Sequence, residues 1–394
     1  MNDAVRPFRL NISDEQLTDL KARLRMTRLP PDEVVDDWSQ GTPRAYMEAV
    51  CAYWAEEYDW RTTEARLNAI PQFITNLDGV DVHFLHVRSP HEEARPLLLT
   101  HGWPGSVVEF LNVLEPLSNP TSHGGNSEDA FHLVVPALPG YGFSGKPTTT
   151  GWGVEKIAEQ WDVLMRRLGY ERYFAQGGDW GAAVTTAIGI RQSEGPQAEG
   201  PKSEGSGGCA GIHINMPLVA PDKDTMDDLT DLEKKALAAS KFYQDWDSGY
   251  SKQQSTRPQT VGYGLVDSPA GLAAWILEKY HRWMDCDGHP ENVVSRDALL
   301  DNIMFYWLTS AGASSARLYW ESFGKRSPGP ITIPSGCSMF PKEIFRASER
   351  WVQKRYQNLV YWNELDRGGH FAAFERPDVF VAEIRACFAR MSLD

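Results

Sequence analysis

Asp179 stands in the run Gly177-Gly178-Asp179-Trp180-Gly181, between a strand-like stretch, Tyr173-Phe174-Ala175, and a helix-like stretch from Ala182 to Ile188. Strand, tight turn and helix in that order make a nucleophile elbow. Small flanking residues there let one side chain stand on a sharp turn at the edge of a sheet. Serine is the usual occupant, and no Gly-x-Ser-x-Gly occurs in the chain. An aspartate changes the chemistry. A carboxylate is a poor acylating nucleophile, but it displaces a leaving group at saturated carbon and so forms an ester on the protein.

Releasing that ester takes a base, and the base needs an acid to orient it. Of the ten histidines, His370 is best placed. It lies in Gly368-Gly369-His370-Phe371, after the strand-like Asn358 to Trp362 and close to a terminal helix. In α/β-hydrolase order the acid and the histidine both follow the nucleophile. Three acids compete: Glu343, Glu364 and Asp366. Glu343 follows the strand-like Gly336 to Phe340, one strand before the histidine, which favours it. Glu364 and Asp366 lie on the tail of the histidine's own strand and read as surface residues.

His101-Gly102-Trp103-Pro104-Gly105 follows a strand ending at Thr100. A loop so placed aims backbone N–H groups at developing negative charge, and the expected donors are the amides of Trp103 and Trp180. Tyr250 and Tyr319 add phenols, which are protonated at neutral pH yet acidic enough to serve a leaving alkoxide. Chemistry alone does not single them out from fourteen tyrosines, and packing is their default role. Two motifs mislead. Gly140-Tyr141-Gly142-Phe143-Ser144-Gly145 has dinucleotide-fingerprint spacing, but Lys146-Pro147 follows where a helix must open to hold a pyrophosphate. Gly207-Gly208-Cys209-Ala210-Gly211 imitates a cysteine elbow but leads into a strand, the reverse of the required order.

The elements that would position these residues are legible around them. Strand-like runs recur at Val80 to Val87, Pro96 to Thr100, His132 to Leu138, Tyr173 to Ala175 and Ile212 to Met216, with helical stretches such as Val154 to Leu168 between several of them. That alternation implies a mostly parallel sheet covered on both faces. Ser13-Asp14-Glu15-Gln16 is a capping box opening a helix that carries Leu17, Leu20 and Leu24 on one face, and a second helix is expected around Ala45 to Glu57. Both read as an N-terminal wrap. From Pro221 to Ile331 the strand signal vanishes, and helical stretches rich in Trp and Tyr, such as Ala270 to Met284 and Ala298 to Ser310, read as an inserted lid. Strands return at Gly336 to Phe340 and Asn358 to Trp362, and a helix around Pro377 to Met391 closes the chain. The low-complexity run from Ser193 to Gly208 reads as a mobile surface loop.

With 394 residues and 42% apolar content, a full core is easily built. A net charge of −14 argues against nucleic acid and anionic membranes as partners. Five scattered cysteines without a Cys-x-x-Cys pair suggest neither zinc nor a disulfide framework. No apolar run reaches the roughly 20 residues of a membrane span. No metal or organic cofactor is implied.

Taken together, these residues resemble the epoxide hydrolases of the α/β-hydrolase fold, in the microsomal-type branch with an N-terminal extension. The resemblance rests on Phe8-Arg9-Leu10, Tyr58-Asp59-Trp60-Arg61 and Pro71-Gln72-Phe73, on His101 to Ser106, Gly140 to Ser144 and Gly177-Gly178-Asp179, and on Gly369-His370-Phe371-Ala372-Ala373 with Glu375-Arg376-Pro377. It implies a mostly parallel central sheet with helices on both faces, an inserted helical lid and an N-terminal helical extension. The expected segments are 1–75 for the extension, 76–220 and 332–394 for the core, and 221–331 for the lid. It further implies Asp179 as nucleophile, His370 as base, Glu343 as its acid, and Tyr250 and Tyr319 as the groups holding the epoxide oxygen. An apolar epoxide and water would then become a vicinal diol through an ester on Asp179. Two other readings stay open: a haloalkane dehalogenase with the same Asp and His, and a small-molecule-binding relative without turnover. Membrane-bound members carry an N-terminal hydrophobic anchor that is absent here, so a soluble, cytoplasmic protein is expected. Oligomeric state is left open, with a homodimer among the candidates. Detoxification and secondary metabolism are both compatible roles.

Overall fold

The computed structural model describes residues 3–194, 207–325 and 329–393. Its strands are β1 (Arg6–Pro7), β2 (Gln72–Leu77), β3 (Val80–Val87), β4 (Arg95–Thr100), β5 (Phe131–Pro136), β6 (Arg172–Gly177), β7 (Gly208–Ile214), β8 (Ser335–Met339) and β9 (Leu359–Glu364). They form one sheet in the order β1-β2-β3-β5-β4-β6-β7-β8-β9. The six strands from β5 to β9 in that order run parallel, while β1, β2 and β3 join antiparallel at one edge. The parallel strands are apolar along their length, as strands covered on both faces must be: Leu97, Leu98 and Leu99 in β4 and Leu133, Val134 and Val135 in β5 are all buried.

The expected strands are present with ends shifted by a few residues. β2 is an addition. It pairs with β3 across Asp78-Gly79, both with positive φ (45° and 87°). That turn suits an Asp-Gly hairpin, because glycine reaches positive φ without a Cβ penalty. The N-terminal extension therefore supplies strands as well as helices. Its helix Asp14–Arg25 opens with both halves of the capping box, Ser13 and Gln16, in place. Ser193 and Glu194 finish the helix Asp179–Glu194, and Gly208 already belongs to β7. The rest of the expected surface loop, 195–206, lies outside the described residues. Cys209 is a buried residue within β7, not on a turn.

Between β7 and β8 the described chain is helical. The segments Asp231–Phe242, Gly249–Thr256, Pro258–Asp267, Pro269–Trp283, Arg296–Trp307 and Gly312–Ser322 cover the carboxyl ends of the strands. A π-helical turn, Tyr243–Asp247, joins the first two. The N-terminal wrap holds this lid from outside: Tyr58 Oη and Thr63 Oγ1 both donate to Asp301 at 2.6 Å, and Tyr46 Oη donates to Glu291 at 2.8 Å. Among the described residues no helix is long and apolar enough to cross a membrane.

Candidate active site

Asp179 follows β6 and opens the helix Asp179–Glu194. Its φ of 49° is left-handed, a conformation that costs a non-glycine residue about 1–3 kcal/mol and persists only where the surroundings impose it. The flanking glycines impose it. A Cβ on Gly177 would run into the Gly181 carbonyl, and one on Gly181 into the Thr100 carbonyl. Strand β4 lies beside β6 with Thr100 opposite Gly177, so the loop after β4 reaches the elbow.

That loop delivers one backbone donor: Trp103 N–H bonds to Asp179 Oδ1 at 2.8 Å. His101 fixes the loop. Its Nε2 accepts from Leu138 N–H at 3.2 Å, which leaves Nδ1 as the donor to the Gly102 carbonyl at 2.9 Å. Burial lowers the His101 pKa to about 4, so the ring is a neutral brace. Gly102 packs directly on Asp179, and a Cβ there would collide with the carboxylate. The Trp180 amide lies in the first turn of its helix, where N–H groups have no intrahelical acceptor.

His370 enters from the loop after β9. A parallel bridge between Lys342 and Gly369 sets the loop after β8 alongside it. His370 Nδ1 and Glu343 Oε1 are 2.6 Å apart, and both side chains are buried. Nδ1–H donates to the carboxylate, and Nε2 faces Asp179 Oδ2 at 3.3 Å. That second approach is close enough for Coulomb attraction but lacks hydrogen-bond direction, since Nε2 has no hydrogen-bond partner among the described residues. Burial alone would lower the His370 pKa. Glu343 and Asp179 outweigh it and hold the ring well above its usual value, as imidazolium in the resting protein. Glu364 and Asp366 are exposed, away from the ring. The lid secures the histidine loop: His370 N–H donates to the Trp283 carbonyl at 3.0 Å, and Glu375 accepts from Asp285 N–H (2.8 Å) and Phe371 N–H (2.9 Å).

On the lid side of Asp179 is a cavity of about 300 Å³, lined by Trp180, Tyr243, Tyr250, Tyr319 and Phe345 among others. Tyr250 stacks on Trp103 with centroids 4.8 Å apart, and Tyr319 meets Trp180 edge-on at 4.8 Å. Burial, and then the Asp179 charge for Tyr319 and the neighbouring phenols for Tyr250, push both tyrosines well above the ordinary phenol range. Both therefore stay protonated as donors. The sequence reading missed Tyr243, whose Oη lies 3.0 Å from Tyr250 Oη. Tyr243 opens the π-helical turn and Tyr250 lies at the start of the next helix, so no regular helical repeat in the sequence related the two. The dinucleotide-like loop at Gly140 opens no helix. Instead Ser314 Oγ bonds the Gly140 carbonyl at 2.6 Å, and Tyr141 Oη bonds the Ser315 carbonyl at 3.1 Å, tying the core to the lid.

Comparison with known proteins places this geometry. Residues 5–110 match the epoxide hydrolase N-terminus model, and residues 95–195 match the α/β-hydrolase fold model. A protein of Stigmatella aurantiaca, provisionally named an epoxide hydrolase, is 52% identical over 98% of this chain and 85% of its own. Epoxide hydrolase 1 of Oryctolagus cuniculus is 36% identical over 97% of this chain and 88% of its own. The solved structure of Aspergillus niger epoxide hydrolase superposes with a TM-score of 0.86 at 33% identity, covering 99% of this chain and 98% of that one.

Proposed function

The chain belongs to the epoxide hydrolases of the α/β-hydrolase fold, and on that premise we propose that Asp179 is the residue on which it opens the ring. The reaction adds water to an epoxide and gives a vicinal diol. The observation that carries the assignment is the division of the Asp179 carboxylate. Oδ1 accepts from the Trp103 amide, Oδ2 faces His370, and the same side chain borders the cavity that holds Tyr250 and Tyr319.

In the first step Oδ2 attacks an epoxide carbon. The ring C–O bond breaks, and Tyr250 or Tyr319 protonates the departing oxygen. The product is a hydroxyalkyl ester whose carbonyl oxygen is Oδ1. In the second step His370, oriented by Glu343, deprotonates water, which adds to the ester carbonyl carbon. The amides of Trp103 and Trp180 stabilise the oxyanion; one such donor typically contributes about 3–4 kcal/mol. Alkylation itself prepares the base. It cancels the Asp179 charge, which is one of the influences that hold His370 protonated, and the ring gives its resting proton to the phenolate left by ring opening.

The apolar walls of the cavity suit an apolar epoxide. Paired phenols suit a departing alkoxide better than a halide, which favours epoxides over chloroalkanes. We also take 1–75 as the extension, 76–220 with 332–394 as the catalytic core, and 221–331 as the lid. The test is mass analysis of His370→Gln after exposure to an epoxide. A protein heavier by the mass of the epoxide, with the adduct on the Asp179 peptide, is expected. An unmodified protein would remove Asp179 from the mechanism.

A further inference from the structure

Asp179 also borders a second, far smaller cavity. About 20 Å³ of space lies on the side of the carboxylate away from the tyrosines, lined by Thr100, His101, Glu109, Gln176, Asn215 and His370 among others. Among the described residues Asp179 alone lines both chambers. The larger one holds Tyr250 and Tyr319; the smaller one holds His370. The small chamber has room for one water molecule, which needs roughly 10–15 Å³ and two to four polar partners.

Those partners are present. Thr100 Oγ1, Gln176 Oε1 and His370 Nε2 are all buried and have no hydrogen-bond partner among the described residues. Buried polar atoms are seldom left so, because each costs about 1–3 kcal/mol unsatisfied. Gln176 is held by its amide nitrogen on Asn215 Oδ1 at 3.1 Å, which leaves its oxygen for another donor. Glu109 comes from the turn Val107–Phe110 just after the Trp103 loop, and Gly105 leaves the space its carboxyl fills.

We propose that this chamber holds the water that cleaves the ester, and that Glu109, Gln176 and Thr100 position it between His370 Nε2 and Cγ of Asp179. The inference rests on the reading of Asp179 and His370 above and adds where the water waits. The water oxygen bonds to Cγ, and one proton passes to Nε2. The bond from Cγ to the alkyl-bearing oxygen breaks, and the leaving alkoxide takes the proton from His370. The second water proton, left on the new carboxyl, passes to Nε2 and restores the resting imidazolium beside the Asp179 carboxylate. Substrate and water thus reach one carbonyl from opposite faces.

Burial pushes the Glu109 carboxyl up to about 8, against the attraction of His370 and with repulsion from Asp179 and Glu375. Tyr280 and Tyr306 of the lid also face it, and neutral His101 lies across the chamber. At neutral pH Glu109 is therefore a neutral donor and acceptor, which glutamine imitates and leucine does not. Above pH 8 its charge adds to those holding His370 protonated.

The test is rapid-mixing kinetics that separates ester formation from ester decay. E109L is expected to form the ester at the normal rate and to hydrolyse it about tenfold to a hundredfold more slowly, a cost typical of a misplaced reactant. E109Q is expected to recover most of that loss and to lack a decline in hydrolysis above pH 8 that the wild type shows. Equal slowing of both steps in E109L would mean a merely structural role and overturn the proposal. So would an undiminished decay rate. If E109L does not fold, a decline above pH 8 that persists in E109Q overturns it equally. Failure of the wild type to form any ester would strike at Asp179 itself, a separate outcome.

Discussion

In the proposed mechanism a single carboxylate, Asp179, does two jobs, and its surroundings separate them. The Trp103 amide holds one oxygen 2.8 Å away, while the other faces His370 at 3.3 Å. This arrangement couples the charge of Asp179 to the protonation of His370. Because Asp179 raises the His370 pKa, Asp179→Asn is expected to lower it, and an NMR titration of the ring reads the change. An unchanged or higher value would show that Glu343 alone sets the protonation. In the proposed mechanism the phenols are the acid of the first step. Tyr250→Phe with Tyr319→Phe is expected to slow ester formation by about 10²-fold or more, the usual range for a general acid. An unaffected rate in stopped-flow traces would return both residues to packing.

The elements work as a clamp on the carboxyl edge of the sheet. The loop after β4 meets the elbow through Gly102, whose missing side chain leaves room for the carboxylate. Gly102→Ala would force Asp179 or the loop aside, a strain of about 1–3 kcal/mol. It is expected to lower both melting temperature and alkylation rate; a variant matching wild type in both would mean the loop yields freely. The lid is tied to the core by Glu233. That carboxylate accepts from Arg350 Nη2 at 2.6 Å and from Ser348 Oγ at 2.6 Å, and the Arg350 hydrogen bond leads in drawing its pKa down to about 2. A depressed carboxylate contributes stability above its unfolded pKa of about 4.3, and that contribution fades as pH falls toward 2. Glu233→Gln is therefore expected to flatten the acid limb of the stability curve between about pH 4.3 and 2 in denaturant melts. An unaltered acid limb would mean the network contributes nothing.

These same elements show what a sequence carries. That Asp179, His370 and Glu343 come together was legible because local signals mark them: a glycine-framed turn between strand and helix, a glycine pair before a histidine, and an acid one strand earlier. β2 was missed although Asp78-Gly79 signalled its turn, because Gln72–Leu77 mixes polar and apolar residues without clear alternation. Glu109 was illegible for a different reason. It is buried and lines the small chamber together with Phe371, Ala372, Ala373 and Phe380, more than 250 positions away in the chain, and no local pattern separates such a glutamate from a solvated one.

At the scale of the whole molecule, the parallel sheet gathers four loops at one edge, where open α/β sheets bind their ligands. β4 supplies the amide donor, β6 the carboxylate, β8 the acid and β9 the histidine. The lid closes over them with its tyrosines, and the N-terminal wrap holds the lid through Asp301 and Glu291. On the proposed mechanism, ring opening takes place on the lid side of Asp179 and ester cleavage on the core side. The most direct test is a single turnover with enzyme in excess over styrene oxide in oxygen-18 water, followed by mass analysis of the diol and of the protein's peptides. Unlabelled diol, with one heavy oxygen in the peptide holding Asp179, is the expected result. Label in the diol on that first turnover would mean that water opens the ring directly, and Asp179 would lose its role as nucleophile.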